Sequence, residues 1–187
     1  AGGKVLRNQG NVATAFKQAK QVIEAEYYLP HLAQAPMEPP VATALFAEDG
    51  CEVWAPVQAP QVTRERVAER LKLGFDKVKV NVTLLGGGFG RKSKPDFVVE
   101  AALLAKEFPG KHVRVQWTRE DDLRHAYFHT VAVEYLRGAL DKDGKPSAWL
   151  HRSAAPSIGA LFGPDPKHLQ DFEMGMGLIN MPYRVPN

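Results

Sequence analysis

One glycine-rich stretch, LLGGGFGRK at residues 84–92, organises the interpretation of the whole sequence. It has four glycines in five residues, and glycine weakens any helix or strand that it enters. The stretch follows an alternating apolar run, Val78, Val80 and Val82, and it precedes a helical pattern that begins after Ser93. It therefore predicts a turn between a strand and a helix, in which exposed backbone N–H groups converge on an anion.

The common phosphate-binding loops do not match this stretch. A dinucleotide fingerprint that begins at Gly86 needs a third glycine where Arg91 stands, and one that begins at Gly87 fails at Phe89. A P-loop needs glycine directly before its lysine, but Arg91 precedes Lys92. A flexible turn without a ligand is the alternative interpretation.

The apolar patterns around the stretch predict an α+β fold. Asp49 and Gly50 lie between apolar runs at 41–48 and 51–55, which is typical of a tight β-hairpin. Over residues 41–117 the predicted order is strand, strand, helix, strand, helix, strand, and a further hairpin follows. This order predicts a two-layer sheet with the helices on one face.

Two helix starts have recognisable caps. Ser93 and Asp96 have the spacing of a capping box before the helix that follows the glycine stretch. Thr118 precedes the charged run Arg119-Glu120-Asp121-Asp122 and is expected to cap a short helix.

We expect three regions along the chain. Residues 1–40 form a lead-in helix, a half-buried strand over 23–29 and a proline-rich crossing segment, because proline at this density enters neither a sheet nor a helix interior. Residues 41–155 form the α+β domain, and 156–187 form an irregular C-terminal segment. The chain stops at residue 187 without a terminating signal, so we expect a truncated piece of a longer protein.

The composition and net charge of the chain limit which kinds of molecule it is expected to bind. The chain is 44% hydrophobic and 24% charged, which is typical of a globular domain. A balance of 24 basic against 21 acidic residues argues against nucleic acid as the main partner. No apolar stretch approaches the roughly 20 residues of a membrane span. The start has no signal-peptide pattern, and the compartment, cytoplasm or periplasm, stays open.

The potential metal-binding side chains are few. The single cysteine, Cys51, excludes an intrachain disulfide and an iron–sulfur cluster held by this chain alone. Its strand-like surroundings predict a buried, inert thiol. His125 and His129 would share one face of a helix, but no third ligand follows at a recognisable spacing, so we expect no metal bound directly by side chains.

The glycine stretch resembles the pterin–molybdenum loop of the molybdenum hydroxylases, the family of xanthine dehydrogenase and aldehyde oxidase. The phrase AQAPMEP at 33–39 is similar to one that precedes this domain in their large subunits, most closely in the isoquinoline 1-oxidoreductase beta-subunit type, with Gln34 in place of a histidine. The phrase WTRED at 117–121 also resembles the family pattern after the same strand. The resemblance spans about residues 22–155.

The resemblance implies a set of cofactor-binding residues. Phe89 and Gly90 would contact the ligands of the molybdenum through their backbone, and Gly87 and Gly88 would allow the close approach. Gln58, in a Trp…Gln-x-Pro pattern, would place its side chain beside a ligand of the metal. The alternative for Gln58 is a polar residue that satisfies a helix end.

The resemblance also implies an activity. The chain would be the cofactor-facing domain of a molybdenum-dependent oxidoreductase that hydroxylates an aldehyde or an N-heterocyclic carbon with oxygen from water. The cofactor would be molybdenum–pterin (molybdopterin), with the cytosine dinucleotide form as one version of it. Electrons would leave through iron–sulfur clusters on a partner, a small [2Fe-2S] subunit, and the rest of the large subunit would be the other partner.

Two family features are missing or changed. The general base of the family is a late glutamate without a counterpart here, so no catalytic residue is assigned and the fragment is expected to be inactive alone. Arg124, next to His125, resembles an arginine that faces the substrate, whereas Ser93 stands where xanthine dehydrogenases carry a substrate-orienting glutamate, which argues against a purine. The alternatives are a non-catalytic anion- or nucleotide-binding module and a subunit-assembly domain.

Overall fold

The computed structural model describes residues 3–163 and 169–187 of the chain. Within these residues, helices and strands mix along the chain, which confirms the α+β class. None of the described helices is long and apolar enough to cross a lipid bilayer. In chain order the elements are α1 (Val12–Gln18), β1 (Gln21–Leu29), β2 (Val41–Ala47), β3 (Gly50–Ala55), α2 (Pro60–Leu71), β4 (Val78–Val82), α3 (Asp96–Glu107), β5 (His112–Gln116), α4 (Arg119–Arg124), β6 (Ala132–Leu140), β7 (Pro146–Ala154) and α5 (Asp171–Gly175).

The chain forms two compact units by spatial contact. Residues 33–128 form one unit, and residues 1–32 together with 129–187 form the other. The glycine stretch belongs to the first of these units. The division into 1–40, 41–155 and 156–187 stays a prediction, and residues 1–2 of its first range and 164–168 of its last range lie outside the described residues.

The unit of residues 33–128 is a four-stranded sheet with two helices on one face. Its strand order is β4-β3-β2-β5, with β3 and β4 parallel and the other neighbours antiparallel. Side chains alternate across a strand, so every second residue of β2 and β3 enters the core. The buried strand residues are Ala42, Ala44, Phe46, Cys51, Val53 and Ala55. They pack on buried residues of α2 and α3, namely Val67, Ala68, Leu71, Phe97, Val98, Ala101, Ala102 and Ala105.

The thiol of Cys51 lies inside this core. The residue is buried, and burial raises the pKa of its thiol to about 11. Because the thiolate is the reactive form, the thiol stays protonated and unreactive near neutral pH. The prediction of a buried thiol is confirmed.

The hairpin of β2 and β3 is confirmed, but its turn lies one residue earlier than predicted. Ala47 pairs with Gly50, so Glu48 and Asp49 are the two turn residues, and Glu48 has a positive φ of +56°. A shift of register by one residue would turn every side chain to the opposite face. Burial of the core face therefore sets the register and overrides the Asp-Gly signal.

The two predicted helix caps have different outcomes. Thr118 caps α4, since its hydroxyl accepts a hydrogen bond from the Asp121 N–H and the Asp121 side chain accepts one from the Thr118 N–H. The capping box of Ser93 and Asp96 is wrong. The helix α3 begins at Asp96 itself, and the carboxylate of Asp96 binds Arg91 instead of a backbone amide.

The unit of residues 1–32 and 129–187 contains a three-stranded antiparallel sheet in the order β1-β6-β7. The further hairpin predicted from the sequence is β6–β7. The prediction of a half-buried β1 is wrong, because all of its residues are exposed except Ala25, which is partly buried. Alternating apolar residues indicate a strand, but their burial requires a layer that covers them, and β1 is an edge strand.

Candidate functional site

The glycine stretch forms a turn with an unusual backbone between β4 and α3. Its φ angles are positive at Gly87 (+94°), Phe89 (+50°) and Gly90 (+88°). Glycine adopts such angles without strain, whereas a left-handed conformation costs a residue such as Phe89 about 1 kcal/mol or more. The Phe89 side chain is 57% exposed, so packing of the ring does not account for this conformation. Backbone strain of this kind is typical of functional sites.

The side chain of Gln58 lies against this turn. Its Oε1 accepts a hydrogen bond from the Gly90 N–H at 3.1 Å. A Cβ at Gly88 would lie 2.4 Å from the same oxygen, so a side chain at position 88 would displace Gln58 from this contact. The structure therefore brings together three of the predicted site residues. The alternative role for Gln58 is not observed, since no side chain caps α2, which begins at Pro60.

Several hydrogen-bond donors of this turn have no protein partner. Among the residues that the structure describes, the N–H groups of Gly87, Gly88 and Phe89 donate to no acceptor, and neither does Nε2 of Gln58. Successive free amides next to positive φ angles form a concave set of donors that binds anionic oxygens. A Cβ at Gly90 would meet no atom within 4 Å, so this side of the turn is open to approach. The donor set fits a group that is rich in anionic oxygens, such as a phosphate-bearing pterin with its metal ligands.

The two basic residues that end the stretch are buried and do not serve this donor set. The exposed fractions of Arg91 and Lys92 are 1% and 0%. Both guanidinium Nη atoms of Arg91 lie 2.8 Å from the Asp96 carboxylate. Nζ of Lys92 lies 2.6 Å from Oε2 of Glu38. Each cation is thus paired inside the protein, and the donors without a protein partner are main-chain amides and the Gln58 side chain.

Arg124 lies apart from these contacts. It is the last residue of α4, its side chain is exposed, and none of the contacts described for residues 84–92 involves it. His125 follows the end of the helix, so His125 and His129 do not share a helical face. In the described part of the chain, no group of three or more His, Cys, Asp or Glu side chains is arranged to hold a metal ion.

An open cleft of about 600 Å³ lies elsewhere in the same unit, and residues 84–92 do not line it. Its carboxylates already have partners in the protein. Asp96 binds Arg91, and Glu100 accepts a hydrogen bond from Nε1 of Trp117 at 2.7 Å. These two carboxylates are therefore engaged in contacts within the fold.

An α+β unit with successive free main-chain amides at a glycine turn is typical of domains that bind an anionic group. Residues 2–187 match the family model described as the molybdopterin cofactor-binding domain. The chain belongs to this family.

Two curated relatives extend the comparison. The chain is 34% identical over 156 residues to the membrane-bound aldehyde dehydrogenase (pyrroloquinoline-quinone) of Gluconacetobacter polyoxogenes, covering 83% of this chain and 20% of that protein. It is 39% identical over 132 residues to the isoquinoline 1-oxidoreductase subunit beta of Brevundimonas diminuta, covering 69% of this chain and 17% of that protein. The chain thus spans about a fifth of the length of these relatives.

The fold is also shared with a solved structure. The aldehyde oxidoreductase from Desulfovibrio gigas superimposes with a TM-score of 0.67, over 83% of this chain and 17% of that protein. The sequence identity is 20%, so this likeness shows a common fold.

Proposed function

We propose that this chain is the cofactor-facing domain of a molybdenum-dependent oxidoreductase that hydroxylates an aldehyde or an N-heterocyclic carbon with oxygen from water. The observation that carries the proposal is the set of free donors at Gly87, Gly88, Phe89 and Gln58. Membership of the molybdopterin cofactor-binding domain family supports it. The names of the aldehyde dehydrogenase and isoquinoline 1-oxidoreductase relatives support the substrate class.

Each residue of the turn has a distinct task in this proposal. The N–H groups of Gly87, Gly88 and Phe89 donate to anionic atoms of the molybdenum–pterin group, and Nε2 of Gln58 donates beside them. Oε1 of Gln58 holds the Gly90 N–H, which fixes the side-chain amide with its donor end free. Gly90 leaves the approach open because it has no side chain. When bound, the molybdenum–pterin group supplies the redox chemistry of the hydroxylation.

The other components of the reaction come from outside this chain. No residue of this chain is assigned as the general base. In this proposal the general base and the remaining walls of the substrate site belong to the rest of the large subunit. The fragment alone is therefore inactive. Arg124 is proposed to face the substrate, with its exposed side chain at the end of α4. Iron–sulfur clusters on a small [2Fe-2S] partner receive the electrons, and the cytosine dinucleotide is one form of the cofactor.

A second candidate is a quinone cofactor. The name of the Gluconacetobacter polyoxogenes relative includes pyrroloquinoline-quinone. Such an anionic quinone also suits a cradle of N–H donors. Only the first candidate contains molybdenum and pterin, so measuring the molybdenum content of the protein distinguishes the two.

The test is the cofactor content of the full-length protein, purified after expression with a supply of molybdenum cofactor. We expect about one molybdenum and about one pterin per chain, measured by mass spectrometry of the metal and fluorescence of the oxidised pterin. Absence of both would reject the proposal. A bound quinone without molybdenum would establish the second candidate, and absence of any cofactor would favour a subunit-assembly domain.

A further inference from the structure

Gly86 and Lys92, which bound the glycine turn at residues 86–92, both contact one carboxylate oxygen of Glu38. Oε2 of Glu38 accepts a hydrogen bond from the Gly86 N–H at 3.2 Å and from Nζ of Lys92 at 2.6 Å. The Glu38 N–H in turn donates to the Gly86 carbonyl at 3.0 Å. Residues 86 and 92 bound the segment that carries the free amides, so Glu38 closes this segment into a loop.

The contact between Glu38 and the turn is close and largely shielded from water. A Cβ at Gly86 would lie 2.5 Å from Cβ of Glu38, so the approach requires glycine there. The side chain of Lys92 is 0% exposed and that of Glu38 is 35% exposed. A buried ammonium without a partner is strongly unfavourable, whereas a buried ion pair adds little net stability over an apolar pair. The pair between Glu38 and Lys92 is therefore expected to fix the arrangement of the turn more than to add net stability to the fold.

Lys92 is also connected by hydrogen bonds to Gln58, on the other side of the free amides. The carbonyl of Lys92 accepts a hydrogen bond from the Gln58 N–H at 3.0 Å. Oε1 of Gln58 accepts one from the Gly90 N–H at 3.1 Å. Lys92 is thus connected to Gln58 through its carbonyl, and Gln58 is connected to the Gly90 amide through its side chain.

The segment that carries Glu38 is itself anchored. Nη2 of Arg119 donates to the carbonyl of Pro36 at 2.5 Å and to that of Met37 at 3.2 Å. Nη1 of Arg119 is held by the buried carboxylate of Asp122 at 2.6 Å. Because this segment has its own attachment to α4, Glu38 holds the turn and does not merely follow it.

We infer that Glu38 is a positioning residue for the cofactor, acting through Lys92 and Gly86 on the amides of the turn. The inference rests on the proposed function. Glu38 does not contact the free donors of Gly87, Gly88, Phe89 or Gln58. It acts on cofactor binding through the backbone geometry of residues 86–92.

Two variants of the full-length protein separate positioning from stability. Glu38→Gln keeps an oxygen acceptor for the Gly86 N–H but leaves the Lys92 ammonium buried without a counter-charge, so both the melting temperature and cofactor retention fall. The double variant Glu38→Gln/Lys92→Met removes the buried cation and recovers most of the melting temperature. Its retention of molybdenum and pterin during dialysis stays about tenfold below that of the parent, as for other residues that orient the groups in direct contact with a bound metal.

A core variant provides the matched control. Val53→Ala removes a buried side chain from β3, in the same unit, without touching the turn. It lowers the melting temperature while molybdenum and pterin retention stays at the parental level. If retention in the three variants follows the melting temperature alone, the inference is overturned.

Hydrogen exchange of the cofactor-free protein gives a readout that needs no cofactor. In peptides that cover residues 84–93, the hydrogen-bonded amides of Gly86, Gly90, Arg91 and Ser93 should exchange about tenfold faster in the double variant than in the parent, whereas peptides from α3 should not change. Parental exchange and parental retention in the double variant would overturn the inference and leave the proposed function intact. A parent protein without molybdenum or pterin would overturn the proposed function, and the exchange rates alone would then decide whether Glu38 orders the turn.

Discussion

The two sides of the glycine turn use opposite chemistry. The base contains two charge pairs, each with a buried cation and a partly exposed carboxylate: Arg91 with Asp96, and Lys92 with Glu38. The front contains uncharged donors on the main chain and one amide side chain, and of its residues Gln58, Phe89 and Gly90 are exposed, Gly87 is partly buried and Gly88 is buried. The basic residues of the stretch are therefore paired within the protein, and the proposed anion site consists of donors without charge.

The largest expected effect is at the base. Asp96→Asn leaves the guanidinium of Arg91 buried beside Trp117 and Tyr127 without its carboxylate. Loss of one partner of a buried pair should lower the free energy of unfolding by about 3 kcal/mol, as measured by urea denaturation.

An exposed ion pair in the same unit is the control for this change. Asp49→Asn breaks the pair with Lys77, whose side chains are 71% and 45% exposed, and should leave the denaturation midpoint nearly unchanged. Equal midpoints for the two variants would show that the pair of Arg91 and Asp96 is not structural.

The next largest effect is at the front and concerns binding. Gln58→Glu has the same shape and keeps an acceptor for the Gly90 N–H, but it replaces the two free N–H donors by a negative charge. Repulsion of an anionic cofactor at contact distance should reduce molybdenum and pterin retention about tenfold. The free energy of unfolding should change by less than about 0.5 kcal/mol, because the side chain is exposed. Unchanged retention would mean that no anion lies beside Gln58.

A smaller effect on stability is expected at Gly88. In Gly88→Ala the new Cβ would lie within 3 Å of Oε1 and Cδ of Gln58. The displaced side chain should lower the free energy of unfolding by about 1 kcal/mol, as for other overpacked sites. The same change made in a Gln58→Ala background should cost almost nothing, and a double-mutant cycle by denaturation measures the difference. Equal costs in both backgrounds would contradict the contact.

The smallest effect is expected at Phe89. Phe89→Gly relieves the left-handed backbone strain of about 1 kcal/mol but increases the entropy of the unfolded chain by a similar amount. Because the ring is 57% exposed, little burial is lost, and the denaturation midpoint should stay close to that of the parent. A loss of 2 kcal/mol or more would show that the ring packs in the folded protein.

Local patterns in the sequence predict much of this fold and part of the site. The hairpin at residues 41–55, the helix cap at Thr118 and the strand-to-helix position of the glycine turn follow from signals that lie within a few residues of each other. The glycines at 87 and 90 with positive φ, and the approach of Gln58, agree with the expected turn. The cofactor-binding roles of these residues stay predictions.

The base of the turn is not visible in local patterns. Glu38 and Lys92 are 54 positions apart in the sequence, and their pairing results from the packing of the segment at 36–38 beside the turn. Asp96 has the spacing of a helix cap, but the buried guanidinium of Arg91 competes for its carboxylate. A buried charge requires a partner more strongly than a helix end requires a cap, so tertiary contacts override the local signal.

The most direct test compares two glycines that both have a positive φ angle and open space where a Cβ would lie. Gly90 and Gly110 have φ angles of +88° and +77°, and a Cβ at either position would meet no atom within 4 Å. Gly90→Ala and Gly110→Ala should therefore lose similar stability in the full-length protein, about 1 kcal/mol each. We expect Gly90→Ala to reduce molybdenum and pterin content about tenfold and Gly110→Ala to keep the parental content. Equal cofactor content in the two variants would contradict a cofactor held at the front of the turn.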